Sequence, residues 1–87
     1  MKIKDGFILR EVAGSCVVVA VGKRAGEFNG VINLNETSAF MWRMLEKGAT
    51  IDETVTKMQE EYDVDAQILR RDVTAFTQKI KEAGLAE

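Results

Sequence analysis

The chain divides into two halves that differ in the spacing of their hydrophobic residues. Up to Leu34 the hydrophobic residues fall in short runs rich in Val, Ile and Phe, and glycines separate these runs, as is typical of β-strands. From Asn35 onward they recur every three or four residues, which is typical of amphipathic helices. This pattern predicts an α+β fold in which the strands come first and the helices follow.

Three strands and one exposed loop are predicted in the first half. The runs FILREV (Phe7–Val12) and SCVVVAV (Ser15–Val21) flank an Ala-Gly pair, which predicts a hairpin. The run VINL (Val31–Leu34) predicts a short third strand. The intervening GKRAGEFNG (Gly22–Gly30) is rich in glycine and charge and predicts a long, exposed, wing-like loop. We expect Phe28 in this loop to return to the core.

Three helices are predicted in the second half. Asn35 is a good N-cap for the first helix, and Lys47-Gly48 form its end. Thr50 and Glu53 have the spacing of a capping box at the start of the second helix. Asp65 caps the third helix. The hydrophobic residues expected to form the buried stripe of the third helix are Ile68, Leu69, Val73, Phe76 and Ile80.

Composition restricts the chemistry that the chain can perform. It has 87 residues with 12 basic and 14 acidic side chains, one cysteine and no histidine. These counts argue against an internal disulfide, a histidine-containing catalytic triad and a zinc site with the usual ligands. The longest apolar run is too short to span a membrane. We therefore expect a single cytoplasmic domain, residues 1–87, without metal or cofactor and without a membrane partner.

The remaining candidates for catalysis have structural explanations. Cys16 lies at the start of the most apolar strand without a basic neighbour, so we expect a buried small hydrophobe rather than a reactive thiol. The GKRAG segment lacks the pattern of a phosphate-binding loop. Solvation and helix capping account for a group of carboxylates near the second connection: Glu60, Glu61, Asp63 and Asp65. The sequence therefore predicts no enzyme activity and no catalytic residue.

Three kinds of binding partner remain as alternatives: a nucleic acid, a peptide or a second copy of the chain. Two helices beside a hairpin resemble a winged helix-turn-helix, but acidic residues accompany the basic ones along the third helix, so no nucleic-acid partner is expected. A three-stranded antiparallel sheet has two edges, and an exposed edge accepts an incoming strand. Alternatively, the third helix covers the VINL edge, or free edges pair in a homodimer.

The chain resembles the PqqD family, whose members are also known as RiPP recognition elements. The resemblance lies in VINLNETSAFMWRMLEKGATIDETVTKMQEEYDVD and RRDVTAFTQKIKEAGL. It extends from the first strand to Leu85. The matching features are the Leu-Asn at the end of the third strand, the Met-Trp pair of the first helix, a glycine, an acidic second helix, Tyr62, and the Asp-Val that precedes an apolar stripe.

The resemblance implies a winged-helix-like peptide chaperone without catalytic activity. Such a protein binds the leader region of a ribosomally made precursor peptide, which adds as a strand to the third strand and lies beside the third helix. It then presents the peptide to a maturase, often a radical SAM enzyme. Carried over to this chain, the peptide-binding residues are Val31, Ile32, Asn33 and Leu34 of the edge, Asp72, Val73, Phe76, Thr77 and Ile80 of the groove wall, and Arg70 and Lys79 of the rim.

Overall fold

The computed structural model describes residues 2–26 and 31–87 and confirms the predicted α+β order of three strands followed by three helices. The strands form one antiparallel sheet in the order β1-β2-β3 and are β1 (Phe7–Val12), β2 (Ser15–Ala20) and β3 (Ile32–Leu34). The helices are α1 (Glu36–Glu46), α2 (Ile51–Glu61) and α3 (Ala66–Glu82). Across the described ranges, no helix combines the length and the apolar character needed to cross a membrane.

The hairpin between β1 and β2 closes through a two-residue turn. Ala13 and Gly14 have φ angles of 51° and 80°, and two positive φ values in a row are typical of the type I′ turn, whose twist matches that of the flanking strands. The turn places Val12 opposite Ser15 and fixes the register of all six residue pairs. The predicted hairpin is thus confirmed.

The segment after β2 differs in part from the prediction. Gly22–Gly26 form a short 3-10 helix, where an irregular exposed loop is expected. The side chain of Arg24 bends back from it, so that Nε donates a hydrogen bond to the carbonyl oxygen of Asp5 at 3.1 Å. The remainder of the predicted loop, including Phe28, lies outside the described residues.

The helix starts are confirmed in detail. The Asn35 side chain accepts a hydrogen bond from the backbone N–H of Ser38 at 2.8 Å. At the start of α2, the hydroxyl of Thr50 accepts from the backbone N–H of Glu53 at 3.0 Å, and the Glu53 carboxylate accepts from the backbone N–H of Thr50 at 2.9 Å. Asp65 caps α3 in the same manner. Each bond satisfies an N–H that the helix itself leaves unpaired.

The core lies between one face of the sheet and the helices. Trp42, expected in the core, is fully buried together with Val18 and Leu85. Cys16, in contrast, is only half-buried. It lines an open cavity of about 580 Å³ between the hairpin end of the sheet and the first two turns of α1, where Ala39 is among the other lining residues.

The predicted buried stripe of α3 is wrong at one position. Leu69, Val73, Phe76 and Ile80 are buried, but Ile68 is 45% exposed. Consecutive residues are separated by about 100° around a helix, and Ile68 lies on the side of Leu69 that faces away from Val73, outside the buried stripe. A polar side chain, Thr77 at 4% exposure, lies in the stripe instead, and its hydroxyl donates to the carbonyl oxygen of Thr74 at 2.8 Å.

Candidate functional site

Strand β3 forms an edge of the sheet, and among the described strands it pairs only with β2. The register places Leu34 opposite Cys16 and Ile32 opposite Val18. The strand is short because Asn35 follows directly as the N-cap of α1. Its position is therefore fixed at one end by the helix and along one side by the sheet, whereas the other side is an edge.

The register identifies the backbone groups that point away from the sheet. The backbone N–H of Val21 donates to the carbonyl oxygen of Gly6 at 2.8 Å, so the odd-numbered residues of β2 face β1. In an antiparallel strand, the N–H and C=O groups of successive residues alternate between the two sides. The even-numbered residues of β2 therefore face β3 and bond Ile32 and Leu34, which leaves the N–H and C=O of Asn33 pointing outward.

Side chains along β3 alternate between the two faces of the sheet. Ile32 and Leu34 lie on the inner face and pack against the core. Asn33 and Val31, which is 55% exposed, lie on the outer face. A strand that paired with this edge would place alternate side chains over the inner face, next to Ile32 and Leu34, and the others beside Asn33.

The residues predicted for the groove wall divide into two groups. Val73, Phe76, Thr77 and Ile80 are buried, and the most exposed of them, Phe76, is 9% exposed. They form the side of α3 that holds the helix on the core. Asp72, in contrast, is exposed. The role of all five in peptide binding stays a prediction.

The two predicted rim residues lie on different flanks of α3. The guanidinium of Arg70 forms an ion pair with the carboxylate of Asp52 on α2, so Arg70 belongs to the flank that contacts α2. Asp72 lies about 200° from Arg70 around the helix axis, on the opposite flank. Lys79 and Ile68 share that side. We call Ile68, Asp72 and Lys79 the free flank of α3.

Ile68 belongs to the predicted buried stripe of α3, but its exposure makes it a candidate site residue. Hydrophobic spacing alone favoured its burial, because a residue adjacent to Leu69 fits an apolar stripe equally well. Its angular position relative to Leu69, Val73 and Phe76 is the signal that distinguishes it. An exposed isoleucine on the free flank offers apolar surface to a bound chain.

An aromatic pair lies where α1 begins and α2 ends. The rings of Phe40 and Tyr62 meet edge to face, with centroids 5.8 Å apart and planes at 76°. Burial raises the pKa of the Tyr62 phenol, and the negative charges of Glu36 and Glu61 raise it further. These two carboxylates, from different helices, therefore both lie close enough to Tyr62 to influence its ionisation.

Tyr62 is the only tyrosine, so its titration can be followed by phenolate absorbance without interference. We expect Glu36→Gln to lower the pKa of Tyr62 without returning it to its ordinary value, because burial is the larger cause. Since folding raises this pKa, the associated stability is present below the unfolded-state pKa and is lost as pH rises through the folded-state pKa. An unchanged phenolate titration in the variant would contradict this arrangement.

The described residues contain no group of three or more His, Cys, Asp and Glu side chains placed to hold a metal ion. The candidate site comprises backbone groups and exposed side chains. It consists of the β3 edge, with Asn33 at its centre, and the free flank of α3. An unpaired strand edge offers backbone donors and acceptors, and exposed apolar side chains offer contact surface.

Two solved structures share this fold. One is described as TbiB1 in complex with the TbiA(beta) leader peptide, and is 24% identical with a TM-score of 0.81 over 100% of this chain and 95% of that chain. The other is described as lasso peptide synthetase B1 complexed with the leader peptide, and is 21% identical with a TM-score of 0.80 over 99% and 95% of the two chains. No curated protein sequence matches significantly.

The family comparison covers most of the chain. The model of the family described as "Coenzyme PQQ synthesis protein D (PqqD)" matches residues 15–86. This range includes β2, β3 and all three helices, and hence the β3 edge and the free flank. The chain therefore belongs to the PqqD family.

Proposed function

We propose that this protein binds the leader region of a ribosomally made precursor peptide by strand addition to β3. The observation that carries the proposal is the outward orientation of the Asn33 N–H and C=O groups on an edge strand. These groups offer a donor and an acceptor to an incoming backbone, which supplies affinity without regard to side chains. The free flank of α3 supplies the side-chain contacts.

The two similar structures support the peptide class. Both are described as complexes with leader peptides, and both share the fold of this chain over nearly its full length. Membership of the PqqD family agrees with the same role. The family resemblance also supports a non-catalytic function in the cytoplasm, in which a separate modifying enzyme, such as a radical SAM enzyme, receives the bound peptide.

The alternative of DNA recognition is less well supported by the charges of α3. The helix begins at the carboxylate cap Asp65, where a recognition helix would carry its base-reading residues. The guanidinium of Arg70 is engaged by Asp52 on α2. Arg71 Nε lies 3.8 Å from the carboxylate of Asp72. Such a surface offers little attraction for phosphates.

An NMR titration tests the proposed function directly. The probe is a synthetic candidate leader peptide, added to ¹⁵N-labelled chain. We expect the largest amide shifts at Val31 and Asn33, with further shifts along the free flank of α3. The binding should weaken only modestly as salt is raised, because backbone hydrogen bonds are screened less than phosphate contacts.

The same titration can contradict the proposal. Shifts restricted to α2 and the exposed hairpin turn would place the peptide elsewhere. Binding of duplex DNA that weakens steeply with salt, without any shift from the leader peptide, would favour the winged-helix alternative. Sedimentation with and without peptide would reveal whether the edge is instead closed by a second copy.

A further inference from the structure

An apolar surface lies where α2 ends and α3 begins, beside Phe40 of α1. Phe40 and Tyr62 are half-buried there as an edge-to-face pair. Val64 and Ile68, at 39% and 45% exposure, are two of the four large hydrophobic side chains that the described residues leave exposed. We call Phe40, Tyr62, Val64 and Ile68 the junction patch. Exposed apolar surface of this kind is typical of a contact site.

Carboxylates surround this patch. Glu36 lies one helical turn before Phe40 on α1, and Glu61 directly precedes Tyr62 at the end of α2. Asp63 and Asp65 flank Val64 in the chain and are exposed. The sequence contains no lysine or arginine from residue 58 to residue 69, the stretch that holds Glu61, Asp63 and Asp65. The surroundings of the patch are therefore acidic.

Three basic side chains on either side of the connection between α2 and α3 are paired with carboxylates. Lys57 Nζ lies 3.5 Å from the carboxylate of Glu60, and Arg70 pairs with Asp52 on α2. Arg71 Nε lies 3.8 Å from the carboxylate of Asp72, so the charges of these two side chains offset each other. The negative charge around the patch is thus not offset by these neighbours.

Fold stability explains only part of this acidity. Glu36 lies in the first turn of α1 and Asp65 caps α3, where negative charge stabilises a helix. Glu61, in contrast, is the last residue of α2, where a negative charge opposes the helix dipole. Asp63 lies in the connection between the helices. The last two positions therefore favour a binding role over a stabilising one.

Strand direction determines which part of a bound peptide meets the patch. Only Asn35 separates β3 from Glu36, so the acidic end of the site adjoins the carboxyl end of β3. An added strand that continues the antiparallel order runs against β3. Its N-terminal part then passes Glu36, and its C-terminal part lies near Val31.

We propose that the junction patch binds an apolar residue of the leader peptide that is flanked by Lys or Arg, on the N-terminal side of the segment paired with β3. This inference rests on the proposed function, since the same peptide occupies both places. The apolar side chain packs on Phe40, Tyr62 and Val64. The adjacent cations lie opposite Glu36 and Glu61, which also fixes the direction in which the peptide binds.

A display selection tests this inference with peptides of random sequence. A library of twelve-residue peptides is selected against the wild-type protein, the double variant Glu36→Gln/Glu61→Gln and the control Glu46→Gln. Glu46, at the opposite end of α1, is a matched control because it is also an exposed helix carboxylate. Circular dichroism verifies that each variant is folded.

The wild type and the control should enrich peptides with Lys or Arg beside an apolar residue, N-terminal to a segment of alternating apolar residues. The double variant should keep the alternation and lose the basic preference. For one selected peptide, affinity at low salt should fall by about two- to fivefold for each carboxylate removed. This loss should disappear at high salt.

Two other outcomes separate the two proposals. If the selected peptides depend on Asn33 but lack a basic preference, the junction-patch inference is overturned and strand addition to β3 stands. If a folded Asn33→Pro variant selects the same peptides as the wild type, strand addition fails, and the inference that rests on it fails too.

Discussion

The variant Asn33→Pro is expected to bind its leader peptide about 10- to 100-fold more weakly than the wild type, because a donor is lost and a peptide carbonyl is left unpaired. Asn33 is the central residue of β3, and its N–H is the one that points away from β2. Proline at this position removes that N–H. The fold should tolerate this change, since proline is accommodated on edge strands where the N–H faces solvent.

Ile32→Pro provides the contrasting variant at the neighbouring position. Its N–H points toward β2, so proline there removes a bond within the sheet and leaves an acceptor on Val18 unpaired. The unpaired acceptor costs about 1–3 kcal/mol, and the packing of Ile32 on the core is lost as well. This variant should therefore lose stability, with binding lost as a consequence.

Isothermal titration of the leader peptide and thermal unfolding by circular dichroism distinguish the two effects. Asn33→Pro should show a near-normal unfolding midpoint with weak binding, whereas Ile32→Pro should show a lowered midpoint. A folded Asn33→Pro variant with wild-type affinity would be incompatible with strand addition at β3. A stable Ile32→Pro variant would instead show that the N–H of Ile32 points away from β2 and that the N–H of Asn33 points toward it.

Local signals in the sequence account for most of the fold. The Thr50–Glu53 capping box, the Asn35 cap and the two-residue turn at Ala13 each depend on residues within a few positions of one another. Such features are determined by short-range chemistry, so they can be predicted from a single sequence. Strand β3 can be predicted in the same way, because its apolar run ends at a clear helix cap.

Features that depend on longer-range geometry were predicted less well. The outward orientation of Asn33 follows from the register of β2 on both of its neighbours, and the alternation of residues in VINL does not reveal it. The ion pair between Arg70 and Asp52 depends on how α2 packs on α3. Ile68 and Leu69 are adjacent apolar residues, and hydrophobic spacing alone does not show which of the two faces the core.

These differences change the character of the proposed site. A basic rim at Arg70 and Lys79 would favour an acidic peptide, but Arg70 is turned toward α2. The proposed contacts at the junction patch would instead favour basic residues in the N-terminal part of the peptide, with Glu61 at the end of α2 the clearest example. Backbone bonding at Asn33 supplies affinity for many sequences, so selectivity must come from these side-chain surfaces.

The adjacent residues Ile68 and Leu69 provide the second large expected effect, because they have isomeric side chains on different faces of α3. Leu69→Ala removes a side chain that is only 4% exposed and should lower the free energy of unfolding by about 2–5 kcal/mol. For a domain of this size, such a loss corresponds to a fall in melting temperature on the order of 10–30 °C.

Ile68→Ala should leave stability nearly unchanged, within about 0.5 kcal/mol, since its side chain is 45% exposed and alanine favours the helix. Its effect should instead appear in binding, with leader-peptide affinity about fivefold weaker through lost apolar contact. Thermal unfolding and isothermal titration of both variants check this separation. Unchanged affinity in Ile68→Ala would remove the free flank from the binding surface, even if strand addition at β3 were confirmed.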